Sequence, residues 1–204
     1  MKRCAPAILL LAALAGMLFG QEETPAARQP PVALREGETF YPVIRGLRGA
    51  VAAGTPFTAQ AGFRVLLAGG NAVDAGVAMV LAGAITEFDA YGFGGEVPIL
   101  IYLPGRNKVV ALNGVGFAPA AVKADLFDRE QGIPGEGPLA AVVPSVLDTC
   151  VLALREYGTR TFCEVSAPAR ELAEGFPMSE GLARRIAGDA EKIRRWDASS
   201  RVFL

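Results

Sequence analysis

The chain has 204 residues, 51% hydrophobic and 20% charged, which suffices for one domain with its own core. A formal net charge of −1, without a basic block, excludes the electrostatic footprint of a nucleic-acid binder. Histidine is absent altogether, which excludes a Ser-His-Asp triad and most zinc sites, so neither a metal nor a cofactor is expected.

The chain opens like a secretory signal. Lys2 and Arg3 form a positive start, residues 5–19 an apolar run, and Gly16 and Gly20 supply small residues near its end. Gln21-Glu22-Glu23 closes the run before it reaches the roughly 20 apolar residues of a spanning helix, so no stable membrane span is expected. Residues 1–20 read as a signal peptide, and the mature product should start near Gln21 in the periplasm or outside the cell. Cys4 precedes the apolar run and does not look like a lipid-attachment cysteine. Export permits a disulfide between Cys150 and Cys163; two buried free thiols are the alternative, and both stay open. Pro25, Pro30, Pro31 and Pro42 make residues 21–48 an extended leader. Order should begin near Ala50, with residues 50–53 as a short buried strand.

Thr55-Pro56 starts a helix, a hydroxyl cap followed by proline in the first turn. Ala59, Phe63, Leu66 and Leu67 share one helical face, and Gly69-Gly70 ends the helix. Asn71 caps a second helix, with Asp74 three residues on at the positive dipole end. Residues 75–86 carry no charge. Val73, Val77, Val80, Leu81 and Ala84 mark one stripe, and the other side is apolar and small too, so this helix should be buried on nearly every side.

After Tyr91-Gly-Phe-Gly-Gly95 come a strand over 97–103, a turn at Pro104-Gly-Arg-Asn107 and a returning strand over 108–112, which together predict an antiparallel hairpin. The glycine loop precedes a strand and lacks a following Gly-Lys-Ser/Thr, so it reads as close backbone packing rather than a phosphate loop. Glu87, Asp89 and Glu96 flank it and read as solvated or capping carboxylates rather than a paired acid and base. Leu126 and Phe127 suggest a short helix, and residues 132–138 a loop. Helices are expected over 146–157, 165–174 and 179–196, with Ser145 and Ser166 as caps. Buried helices on an antiparallel sheet indicate a layered α+β fold.

Several strings occur in a fixed order: Gly49-Ala-Val-Ala-Ala-Gly-Thr-Pro-Phe-Thr-Ala-Gln-Ala-Gly62, Leu67-Ala-Gly-Gly-Asn-Ala-Val-Asp-Ala75 and Gly92-Phe-Gly-Gly95. Ala118-Pro-Ala-Ala121, Val143-Pro144, Leu154-Arg-Glu-Tyr-Gly158 and Ala167-Pro-Ala-Arg-Glu-Leu-Ala-Glu-Gly-Phe-Pro177 follow. This ordered set resembles the N-terminal part of the large subunit of gamma-glutamyltranspeptidases. The resemblance implies that residues 49–204 form part of the αββα sandwich of N-terminal-nucleophile hydrolases, with helices packed on a mainly antiparallel sheet. It implies a γ-glutamyl (glutathione-type) or related acyl-amide substrate. It also implies a threonine nucleophile whose own amine serves as the base, which needs no histidine. That threonine heads a small subunit cut from the same precursor. No Thr-Thr-His segment occurs in residues 1–204, so this chain itself is expected to hold no catalytic residue and to be a fragment or a truncated gene product.

The resemblance also marks substrate-binding positions. The family carries an Arg-Glu pair before the Ala-Pro of its motif, and that arginine binds the substrate α-carboxylate. Here the stretch reads Asn113-Gly-Val-Gly-Phe-Ala-Pro119. Val115 stands at the arginine position and Gly116 at the glutamate position, so Asn113 and Val115 are the candidate binding residues. Valine cannot bind a carboxylate, which points toward another acyl group unless Arg106 or Lys108 on the hairpin turn substitutes. Two functions follow: the N-terminal portion of an amidohydrolase or transferase, or a non-catalytic exported scaffold that kept the fold.

Overall fold

The computed structural model describes residues 45–127 and 132–204. Residues 1–20, read above as a signal, Cys4 among them, and the leader up to residue 44 lie outside the described residues.

Two helices form the centre. Helix α1, Pro56–Leu67, starts where Thr55 Oγ1 accepts the Thr58 amide at 3.2 Å, with Pro56 in the first turn. It stops at Gly69, whose φ of +85° suits glycine, and the Gly70 amide reaches back to the Val65 carbonyl at 2.9 Å. Helix α2, Ala72–Thr86, opens on a full capping box: Asn71 Oδ1 accepts the amides of Val73 and Asp74, and Asp74 Oδ2 accepts the Asn71 amide at 2.8 Å. No residue from 73 to 88 is exposed, as the all-round apolar composition predicts. The two helices approach closely at Gly62, where a Cβ would lie 2.6 Å from Met79 Cγ. Their far ends are tied by hydroxyls. Thr58 Oγ1 lies 2.8 Å from Thr55 Oγ1 and 3.0 Å from Thr86 Oγ1, and it donates to Glu87 at 2.9 Å.

Strands β1, Ile99–Leu103, and β2, Lys108–Leu112, form the expected antiparallel hairpin, with Ile99 opposite Leu112 and Leu103 opposite Lys108. Asn107, at φ 44°, takes the left-handed turn position that asparagine tolerates. Ile101 points into the core, whereas Leu100, Tyr102 and Val109 are exposed on the other face. The strand expected from Val97 begins at Ile99, although the Val97 amide still donates to Gly114 O at 2.9 Å.

Helices α3, Val146–Tyr157, and α4, Phe162–Ala173, pack on α2, and Val77, Leu81, Val146, Cys150, Ala153 and Val165 make the core between them. Asp74 is the joint. It is fully buried, and besides its cap it accepts Thr159 Oγ1 at 2.6 Å, the Thr159 amide at 2.9 Å and the Arg160 amide at 3.2 Å. Asn71 Nδ2 adds a bond to Tyr157 O at 2.7 Å. The start of α2 therefore organises the turn between α3 and α4, 85 residues away. Arg64 and Glu171 form a two-pronged pair at 2.6 and 2.9 Å that links α1 to α4 on the surface. Helices α5, Glu180–Gly188, α6, Ala190–Ile193, and α7, Asp197–Phe203, complete the described chain. They are held by the Phe88–Phe203 stack and by Gly137, which sits close against Trp196.

Several sequence expectations are corrected. Residues 50–53 form no strand, and Ala50, Ala52 and Ala53 are exposed, because no neighbouring strand among the described residues pairs with them. Helix α4 starts at Phe162 rather than 165, since Thr161 and Glu164 form a capping box there. Ser166 is thus inside the helix and donates to Cys163 O at 3.2 Å instead of capping. The single helix expected over 179–196 breaks at Asp189, after Gly188, and α7 lies beyond it. The short helix near Leu126 is one 3-10 turn, Ala124–Leu126. Cys150 and Cys163 are not bonded. Cys150 is buried, which pushes its thiol up to about 11, while Cys163 is exposed rather than buried.

Candidate functional site

The segment that leaves β2 is built by alternation. Gly114 is buried, and a Cβ on it would fall 2.1 Å from Val97 O. A Cβ on Gly116 would fall 2.4 Å from Val143 O. Both positions therefore face inward and exclude any side chain. The chain turns at Asn113, where the Gly114 amide donates to Leu112 O at 3.0 Å, and the residues between the two glycines and on either side of them, Asn113, Val115 (45% exposed) and Phe117 (70%), are exposed. The result is a ledge of three outward side chains. Its backbone is pinned at both ends: Gly114 O accepts the Val97 amide, and Phe117 O accepts the Val143 amide, each at 2.9 Å.

Ser145 strengthens the first pin. It occupies the position before α3, yet its side chain makes no cap bond. Its hydroxyl donates to Gly114 O, and its amide donates to Gly95 O at 3.2 Å. The expected cap is thus a bridge between segments instead. Asn113 turns its own Oδ1 toward the Val115 amide at 3.4 Å, a local bond that shapes the exit from the strand. Among the described residues, sequence reasoning singled out Asn113 and Val115 but missed Phe117 and Ser145. The alternation of glycine with larger residues from 113 to 117 was the available signal for Phe117.

Arg106 and Lys108 stand at the opposite end of the hairpin. The register puts Lys108 opposite Leu103 at the turn and Leu112 opposite Ile99 at the far end. Four residues of extended chain, about 13 Å, separate Lys108 from Leu112, and the ledge lies beyond that. Neither cation is placed to stand in for an arginine at 115.

The carboxylates around the glycine loop do not converge. Glu87 accepts from Thr58, Asp89 pairs with Arg185, and Glu96 is exposed. Tyr91 packs over Gly83, and its phenol is pushed up to about 12, first by burial and then by the charges of Glu87 and Cys150. The loop is a turn closed by the Gly95 amide on Gly92 O at 3.0 Å. Side chains at Gly92 or Gly94 would meet nothing within 4 Å, so the close packing expected of those two glycines is not found. Among the described residues, no cluster of three or more Cys, Asp or Glu side chains could hold a metal ion.

The fold matches solved structures. The gamma-glutamyltranspeptidase of Helicobacter pylori superposes with a TM-score of 0.74 at 28% identity, over 80% of this chain and 48% of that one. The cephalosporin acylase of Bacillus halodurans gives 0.63 at 28% identity, over 81% of this chain and 32% of that one. Helices packed on an antiparallel hairpin in this way define part of the α+β sandwich of N-terminal-nucleophile hydrolases. The chain belongs to the gamma-glutamyltranspeptidase family, whose model matches residues 58–204. The glutathione hydrolase proenzyme of Bacillus subtilis (strain 168) is 33% identical over 98% of this chain. The chain spans about a third of that protein's length (34%).

Proposed function

We propose that this chain is the N-terminal portion of an amidohydrolase or acyltransferase, and that residues 113–117 hold the acyl group of its amide substrate. The observation that carries the reading is the outward ledge, with Val115 at the arginine position of the family motif. Relatives named glutathione hydrolase and cephalosporin acylase support a small acyl amide as the substrate class. On this reading the nucleophile is a threonine on a small subunit of the same precursor, and residues 1–20 are a signal peptide that directs export to the periplasm or beyond. N-terminal sequencing of the exported product should then begin near Gln21, and recovery of intact Met1 in a membrane fraction would count against the signal.

Val115 tilts the acyl preference away from γ-glutamyl groups. A hydrogen bond to a charged group contributes about 1.5–3 kcal/mol, and a two-pronged guanidinium pair more. Without it, kcat/KM for glutathione should be about tenfold to a few hundredfold lower than with arginine present. Glutathione and a glutaryl amide are to be compared in the native polypeptide that carries residues 1–204, with and without Val115→Arg. The substitution should recover part of that factor for glutathione and do little for the glutaryl amide, which lacks the α-carboxylate. Efficient glutathione turnover with Val115 in place would defeat the argument from the arginine. No turnover of either amide would defeat the enzymatic reading and favour a scaffold.

A further inference from the structure

We propose that Ser145 is the positioning residue of the ledge: its hydroxyl sets the orientation in which Asn113, Val115 and Phe117 meet the acyl group. The inference rests on the reading of residues 113–117 as the acyl-holding segment.

Three backbone segments meet at this serine. Its carbonyl accepts the Thr149 amide at 2.9 Å, which begins α3 and fixes the residue to a rigid element. Its amide holds Gly95 O at the end of the glycine loop, and its hydroxyl holds Gly114 O. A serine before a helix ordinarily turns its hydroxyl back on the helix amides; here that bond is absent and the hydroxyl reaches across to another segment. Gly114 O therefore receives two donors, Val97 N and Ser145 Oγ, from two different segments. Two donors fix the plane of the 114–115 peptide where one leaves it free to tilt. That peptide carries Val115, the residue at the position expected to discriminate acyl groups. Because Gly114 has no side chain to lock its own backbone, the restraint must come from outside, and Ser145 supplies it. Ser145 is only partly buried.

The experiment uses the native polypeptide with Ser145→Ala and Ser145→Thr. Kinetics are read on glutaryl p-nitroanilide. Amide hydrogen exchange is read at Val97 and Val143, whose N–H groups bond the two ends of the ledge. For Ser145→Ala, KM should rise about fivefold to tenfold with kcat within about twofold, the size of one hydrogen bond. Exchange at Val97 and Val143 should quicken while the amides of α2 stay as in the wild type. Ser145→Thr, which keeps the hydroxyl, should restore both readouts. An unchanged KM overturns the proposal. So does unchanged exchange at Val97 and Val143, or exchange that quickens equally throughout α2, since that pattern means a merely structural serine. If the wild type turns over no acyl amide, the enzymatic reading falls by itself, and the exchange experiment alone decides whether Ser145 orients the ledge.

Discussion

Asp74→Ala should lower the stability of residues 45–204 by on the order of 4 kcal/mol, a large share of the 5–15 kcal/mol typical of a domain. The carboxylate is fully buried and accepts from Asn71 N, Thr159 N, Thr159 Oγ1 and Arg160 N. Alanine leaves these donors without their acceptor, and a buried unmet donor costs about 1–3 kcal/mol; Thr159 is exposed and can turn to water, whereas Asn71 and Arg160 are half-buried. The four losses do not add fully, because the turn at residues 158–160 can relax once it is released. Asn71→Ala removes the cap and the Tyr157 bond but leaves the Asp74 links to Thr159 and Arg160, and should cost about 1–2 kcal/mol. The comparison is made by urea titration, in which the midpoint for Asp74→Ala should fall far below that for Asn71→Ala. Similar midpoints would show that the link to Thr159 and Arg160 contributes nothing.

The same carboxylate predicts a pH dependence. Burial pushes its pKa up. The Thr159 hydroxyl and the amides of Asn71, Thr159 and Arg160 outweigh that, and the folded value lies below the ordinary one. A lowered folded pKa means that the unfolded chain binds the proton more tightly. The stabilisation is therefore complete above the unfolded pKa of about 3.9 and is lost as pH falls through the folded value. The stability gap between wild type and Asp74→Ala should be flat at neutral pH and narrow in acid. A gap that stays constant down to about pH 3 would mean that the charge is not what the donors hold.

Gly114→Ala should be the most damaging single change in the ledge. The added methyl would lie 2.1 Å from Val97 O and 2.6 Å from Val97 C. Both are backbone atoms, so relief requires the Val97–Gly114 pair to open. The expected cost is about 1–3 kcal/mol, and the bond from Ser145 is lost with it. The neighbouring exposed change Val115→Ala should stay within about 0.5 kcal/mol. Thermal melts of the two variants decide the point: equal melting temperatures would mean that Gly114 does not face inward. The same geometry bears on engineering of the family motif. Arginine is sterically open at the outward position 115, whereas a glutamate at 116 would run into Val143 O, 2.4 Å from its Cβ. Val115→Arg alone should therefore fold better than Val115→Arg combined with Gly116→Glu.

Much of the fold was legible because its signals are local. Thr55-Pro56, Asn71 with Asp74, and the turn at Pro104 to Asn107 act within four residues, and each element they announce is present. Ser145 and Ser166 show the limit of such signals. The same residue type, read as a cap in both places, bridges two segments in one case and bonds inside a helix in the other. A serine hydroxyl bonds equally well to a nearby amide or to a distant carbonyl, and only the packed chain decides which carbonyl is within reach.

By itself the sequence determined the central pair of helices, the hairpin and the family. These depend on side-chain type and short spacing. The tertiary structure decided the rest: that Asp74 holds a turn 85 residues away, that residues 50–53 pair with nothing described, and that Arg106 and Lys108 lie at the wrong end of the hairpin. It also decided that Gly114 and Gly116 face inward and leave Val115 and Phe117 outside. The physical reason is that glycines spaced two apart leave room for a close approach but do not say which segment approaches. That choice is made by the segments folded against them, here the carbonyls of Val97 and Val143.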